Sequence, residues 1–192
     1  KWRMDFLKEI MTTLDPWLSS YFGCEYQPMF LRFYANQPHD EQPYAAKWHC
    51  DAGPRKHLKL LLYLNDSNDS GGNTAFLDYD TTIRFDEVGY LFCPLNQRTE
   101  DLAPLAARFG IPYMPIIQRV RAGYGILFEP SCIMHRAIWP TKTTRYMAQI
   151  LFLPSPLPWQ KMCEMYALPR QEQTWLNYQF EESPHGAAHT NR

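Results

Sequence analysis

His49 and Asp51 flank Cys50 in the run WHCD. In extended backbone, alternate residues project to one face, so an imidazole and a carboxylate stand side by side while Cys50 turns away. An HxD pair is common in loops, and alone it says little about metal. A distant histidine would complete a 2-His-1-carboxylate triad, the donor set that holds Fe(II) on one face and leaves positions open for a co-substrate and dioxygen. His135 is the candidate. Beyond it the turn-like WPTKTT leads to Arg145. If WPTKTT is a hairpin turn, His135 and Arg145 become cross-strand partners on one face. An arginine buried beside a metal-ligating histidine needs an anion, and its planar fork fits a carboxylate.

The elements that must position these residues follow from periodicity. Trp2, Phe6, Leu7, Ile10, Met11 and Leu14 recur at helical steps, predicting a helix over residues 1–15 that Asp15-Pro16 ends. MFLRFY (residues 29–34) predicts a strand, followed by a polar loop over residues 36–43 that leads into WHCD. HLKLLLYLN is nearly continuous in apolar residues, as in a strand buried on both faces. The turn-rich DSNDSGG and a short strand in NTAFLD follow it. Residues 98–110 predict a helix inserted between strands, with Pro104 in its first turn and Gly110 as its cap. Strands are predicted over residues 123–134 and 145–153, and helical segments in WQKMCEMYAL and QEQTWLNYQF, with a frayed tail after them. Many short strands with helices at either end favour a mainly β barrel or sandwich.

The ordered set WHCD, LYLND, SGGNTAFLD, GYGILFEPSCIMHRA and Arg145 resembles the Fe(II)/2-oxoglutarate-dependent dioxygenases, and its loops resemble the prolyl-hydroxylase-like branch. The resemblance spans most of the chain, about residues 34–153. It implies a double-stranded β-helix (jelly-roll) of two antiparallel sheets with the metal at the mouth. On that resemblance His49, Asp51 and His135 hold Fe(II), and Arg145 grips the distal carboxylate of 2-oxoglutarate. Tyr63, immediately before Leu64-Asn65, and Tyr34, in FYAN, are the aromatic side chains that would approach the co-substrate. Core packing with a hydroxyl at the rim is the alternative for both tyrosines. The family reaction consumes O2 and 2-oxoglutarate, hydroxylates an unactivated C–H, and yields succinate and CO2, with ascorbate as a candidate reductant. Asp51 stands where halogenating relatives carry a small residue, so hydroxylation is the expected outcome.

At 192 residues, with 45% hydrophobic and 15% aromatic content, the chain can bury a core and suits one domain. The expected division is a core over about 29–153, helical flanks 1–15 and 157–180, and a tail 181–192. Basic and acidic residues nearly cancel at net charge −1, so nucleic acid and membrane surfaces are not the expected partners. The expected substrate is amino-acid-like, peptidyl or a small biosynthetic molecule. Five scattered cysteines without a CxxC pair argue against a disulfide framework or thiolate zinc site. No apolar run is long enough to span a bilayer and no signal-peptide pattern opens the sequence, so the expected setting is cytoplasmic.

Two other readings compete. A nucleobase demethylase of the same superfamily usually carries a second arginine where this chain has Leu151. A cupin-like metal-binding protein usually adds a glutamate and a histidine near the first ligand pair, and the stretch after Asp51 offers only His57. His39 with Asp40 and Glu41, and His185 with His189, read as solvated loop and tail rather than metal sites. The basic cluster Arg55, Lys56, His57 and Lys59 reads as solvated edge decoration or as a contact for an acidic substrate. Trp48 and Trp139, each near a candidate ligand, belong either to the core or to the wall of the site.

Overall fold

The first helix, α1 (Trp2–Phe22), buries Leu7, Met11, Leu18 and Phe22 along one face. The sequence predicts its end at Asp15-Pro16, but the helix runs through Pro16. Proline removes one backbone hydrogen bond there. The last turns persist because Leu18 and Phe22 sit in the core. Asp15 also ties them to later elements, accepting hydrogen bonds from the Tyr26 hydroxyl and from Trp159 Nε1. Gly23, at φ 63°, closes the helix in the left-handed conformation that glycine adopts without strain. The structure, a computed structural model, describes residues 2–38, 44–54 and 56–166. The loop around His39, Asp40 and Glu41, Arg55, and everything after residue 166, including His185 and His189, lie outside the described residues.

Among the described residues seven strands follow: β1 (Tyr26–Asn36), β2 (Leu58–Tyr63), β3 (Asn73–Phe76), β4 (Ile116–Ile117), β5 (Gly125–Phe128), β6 (His135–Ile138) and β7 (Arg145–Pro154). They build two antiparallel sheets, ordered β1-β7-β2-β5 and β4-β3-β6. Pro28 is tolerated because β1 is an edge strand whose register shifts between Pro28 and Phe30. As the apolar run predicts, every residue of β2 is buried. Its alternate faces do different work. Leu58, Leu60 and Leu62 join Ala148, Ile150 and Phe152 of β7 in a core covered by α1 and Trp159, the first residue of the C-terminal helix Trp159–Tyr166. Leu61 and Tyr63 face the other way and pack with Met147, Phe128 and Phe76, the last from β3, so the two sheets share this middle layer.

The outer face of the smaller sheet is covered by the insertion that follows it. A helix unforeseen in the sequence, α3 (Tyr79–Glu87), is capped by Asp78, whose side chain accepts the Thr81 N–H at 2.7 Å; the short α2 (Ser67–Ser70) precedes it. The predicted insertion helix is present as α4 (Ala103–Phe109), starting later than residue 98 and capped by Gly110 at φ 63°. Phe85 and Ala106 from these helices, with Leu102 just before α4, close over Trp48, Ala75, Leu77 and Met134.

Two predicted strand relations fail. Residues 123–134 do not form one strand: β5 ends at Phe128, and a turn whose Ile133 N–H returns to the Glu129 carbonyl at 3.0 Å carries the chain to the other sheet. WPTKTT is likewise no hairpin. β6 pairs with β3 while β7 pairs with β1 and β2, so His135 stands opposite Phe76 and Arg145 opposite Asn36. The segment crosses between sheets, and the backbone N–H groups of Thr141, Lys142 and Thr143 converge on the Ser70 carbonyl.

Candidate metal centre

His49 and His135 lie on neighbouring backbone segments joined by an antiparallel bridge. The Asp51 N–H donates to the Pro130 carbonyl at 2.8 Å, so the HxD segment is fastened along residues 130–135 at two points. His49 Nδ1 lies 2.7 Å from the Lys47 carbonyl and His135 Nδ1 2.9 Å from the Ile133 carbonyl. A carbonyl only accepts, so each Nδ1 carries a proton, and in the neutral ring Nε2 keeps the lone pair. Both lone pairs converge on Asp51: its Oδ1 lies 3.5 Å from His49 Nε2 and 3.6 Å from His135 Nε2. The three donor atoms lie within 4.8 Å of one another. Donors each about 2.1 Å from one metal and at right angles around it would lie roughly 3 Å apart, so a small inward movement of these three side chains would seat a single divalent ion on one face.

Burial prepares the donors for that role. His135 is 5% exposed, with its ring 4.9 Å from Phe128, and burial pushes its pKa down to about 3, the neighbouring His49 and the Lys59 ammonium adding to the effect. It is neutral at physiological pH. Burial alone would raise the Asp51 carboxyl; His49, Lys59 and His135 together outweigh it and hold the group well below the usual carboxylate range. Cys50 turns toward the core around Trp48, and burial pushes its thiol up to about 12. Tyr44 tilts against His49 at 5.1 Å between ring centroids, and Arg98, from the insertion, holds the Tyr44 hydroxyl.

Sequence reasoning missed Lys59. Two of its described neighbours in the basic cluster and Lys59 itself are engaged rather than free at an edge: Lys56, exposed, donates to the Phe22 carbonyl at 2.8 Å, at the end of α1, His57 is 1% exposed beside Pro54, and Lys59 is 7% exposed, its ammonium paired with Asp51 Oδ2. The signal was available, because Lys59 interrupts an apolar strand on the same face as Leu61 and Tyr63. Trp48 is fully buried in the outer core. Trp139 donates its indole N–H to the Gln37 carbonyl at 2.8 Å.

The other end of this inward face carries the anion-binding candidates. Tyr63 lies four residues along β2 from Lys59, roughly 13 Å at strand rise. Arg145, 3% exposed, donates through one Nη to the carbonyls of Asn73 and Ile138. Among the described residues its Nε has no hydrogen-bond partner and no carboxylate lies within ion-pair distance of it. The Tyr63 hydroxyl is hydrogen-bonded to Asn73 Oδ1 at 3.2 Å and to Thr74 Oγ1 at 3.1 Å. Burial raises the pKa of the Tyr63 hydroxyl, and the Arg145 charge works against that rise. Tyr34 occupies the same row of the sheet, since Met147 is the register partner of both Tyr34 and Tyr63. The glycines of SGGNTAFLD serve distinct needs. Gly71 has a positive φ of 69°, whereas Gly72 leaves space: a Cβ there would sit 3.1 Å from Arg145 Cδ and 3.1 Å from Pro140 Cα.

No helix of the described residues is long and apolar enough to cross a membrane. No protein-family model and no curated protein matches the sequence. Among solved structures the chain is similar to the Kdo hydroxylase KdoO, a non-heme Fe(II) alphaketoglutarate dependent dioxygenase in complex with succinate and Fe(III). The identity is 12% and the TM-score 0.41, over 70% of this chain and 55% of that one. It is also similar to HygX from Streptomyces hygroscopicus with iron bound, at 13% identity and a TM-score of 0.40 over 77% and 66%. A third is the non-heme alpha ketoglutarate dependent epimerase SnoN from nogalamycin biosynthesis, at 12% identity and a TM-score of 0.39 over 71% and 50%. The matched part is about half to two thirds of the length of these proteins.

Proposed function

We propose that this chain is a non-haem Fe(II) oxygenase that uses 2-oxoglutarate as co-substrate, built on a double-stranded β-helix. One observation carries the reading. Three metal donors converge at one end of the inward face, and at its other end a buried arginine lacks a carboxylate. The first demands a divalent cation with open positions, and the second demands an anion that the described residues do not supply. A dicarboxylate spanning from metal to Arg145 satisfies both.

In this reading His49, Asp51 and His135 hold the iron, and Arg145 fixes the distal carboxylate. Tyr63 and Tyr34 line that end, with the Tyr63 hydroxyl oriented by Asn73 and Thr74. Iron bound there would supply the oxidation, in which O2, 2-oxoglutarate and a substrate C–H yield succinate, CO2 and the hydroxylated product. The protein contributes position and dryness: the His135 ring is held between Phe128 and Phe76, and the arginine is closed from water. We assign the substrate to amino-acid-like, peptidyl or small biosynthetic molecules.

Calorimetric titration of anaerobic protein with Fe(II) or Mn(II), then with 2-oxoglutarate, tests the reading. Stoichiometric metal binding followed by metal-dependent 2-oxoglutarate binding is expected, with succinate release in air from wild type and none from Asp51→Ala. A metal-loaded protein that ignores 2-oxoglutarate would overturn it.

A further inference from the structure

We propose that Lys59 is a positioning residue of the metal centre: by holding Asp51 Oδ2, it confines the carboxylate to one-oxygen coordination through Oδ1 and so keeps a metal position open for the co-substrate. This rests on the iron and 2-oxoglutarate reading above.

Lys59 lies on β2, and its side chain is 9% exposed. A buried ammonium needs a partner. Its register neighbours on either side, Phe128 and Leu151, are apolar. The ammonium lies 5.9 Å from the Phe128 ring centroid, and its one ion pair among the described residues is with Asp51 Oδ2. The two carboxylate oxygens are thereby given different surroundings: Oδ1 faces both imidazole Nε2 atoms, and Oδ2 faces the cation.

That difference decides how many positions the protein occupies. Around an octahedral ion, three protein donors, two donors from a chelating 2-oxo acid and one dioxygen fill the six sites. A carboxylate binding through both oxygens would take one of the sites that the oxo acid or dioxygen requires. Asp51 sits in an irregular segment fastened by its own N–H to Pro130, which leaves its side chain free to rotate. Lys59 restrains that rotation from a strand, a more rigid support than the loop itself.

The test uses the full chain with Lys59→Met, Lys59→Gln and Lys59→Arg, titrated calorimetrically with Mn(II) and then, metal-loaded, with 2-oxoglutarate. For Lys59→Met, Mn(II) affinity should equal or exceed wild type, because a repelling cation is gone and both oxygens are free. Its 2-oxoglutarate affinity should fall about 10- to 100-fold, the usual scale for groups behind a metal ligand. Lys59→Arg should restore 2-oxoglutarate binding, and Lys59→Gln, which keeps a donor without charge, should fall between. The ordering of Gln and Arg carries the test if Met does not fold.

Equal 2-oxoglutarate affinity in all four proteins would overturn the proposal. Parallel loss of Mn(II) and 2-oxoglutarate would do so as well, by marking Lys59 as a merely structural partner. Wild type that binds no Mn(II) would instead overturn the reading of the site itself.

Discussion

His49 and His135 each donate a backbone N–H to the other's carbonyl, at 3.0 and 2.9 Å. The two imidazoles are thus brought together by main chain, before any metal arrives and independently of their side chains. His49→Ala should therefore keep the bridge and fold, at a cost of no more than about 1–2 kcal/mol. Its thermal midpoint should stop responding to added Mn(II), whereas that of wild type rises with metal concentration. A variant still stabilised by Mn(II) to the wild-type extent would contradict the assignment.

Arg145 should govern the co-substrate and leave the metal alone. Truncating one partner of a buried charge pair costs about 2–5 kcal/mol. Arg145→Met should therefore weaken 2-oxoglutarate binding by roughly 30-fold to several thousand-fold, with Mn(II) affinity within a few-fold of wild type. Arg145→Lys should recover only part, because a point charge cannot reproduce the planar fork. Calorimetry on metal-loaded proteins reads both quantities.

Gly72→Ala is a probe of the same end. The new methyl would press on Arg145 Cδ and the Pro140 backbone. Overpacking of this kind costs about 1–3 kcal/mol, and here it should show as a several-fold rise in the 2-oxoglutarate Kd. Metal binding, at the other end of the inward face, should stay as it is.

Tyr63→Phe removes a buried hydroxyl that holds Asn73 and Thr74, so stability should fall by about 1 kcal/mol in urea unfolding. If the hydroxyl also serves the co-substrate carboxylate, the 2-oxoglutarate KM rises several-fold. Tyr34→Phe should have the smaller effect. An unchanged KM in Tyr63→Phe would assign that side chain to packing alone.

The metal-free protein should weaken in acid. An unfolded imidazole titrates near 6.5, while folded His135 is pushed down to about 3. The unfolded chain therefore binds a proton that the folded chain refuses. The contribution is complete above about pH 6.5 and is lost as the pH falls toward 3. Asp51, held below the usual carboxylate range, acts with the same sign at lower pH. Urea midpoints measured from pH 7 to 4 should fall, and His135→Gln should flatten part of that fall; parallel curves would argue against it.

The sequence revealed β2 and the side chains most suited to chemistry, because an apolar run and an HxD pair are local patterns. It misassigned what depends on where the chain crosses between sheets. WPTKTT has the composition of a hairpin turn, yet the Ser70 carbonyl collects its N–H groups and sends Arg145 to the other sheet. Arg145 still returns toward β6, through the Ile138 carbonyl at 3.4 Å, by a route that composition does not encode. Pro16 reads as a stop because its local cost is visible, while the burial of Leu18 and Phe22 that outweighs it is tertiary. Lys59 reads as solvated or substrate-facing for a similar reason: its partner lies in a loop whose path only the fold defines.

The alternation along β2 also protects the protein from a particular error. A pairing slip of one residue would turn Leu58, Leu60 and Leu62 toward the candidate metal site and drive Lys59 and Tyr63 into the oily layer beneath α1. Here the misaligned form would have a charged core and a site without its cation or its phenol, so it could neither persist nor bind. Saturation mutagenesis of residues 58–63 should accordingly split by parity, the even positions reporting abundance and the odd positions reporting co-substrate binding.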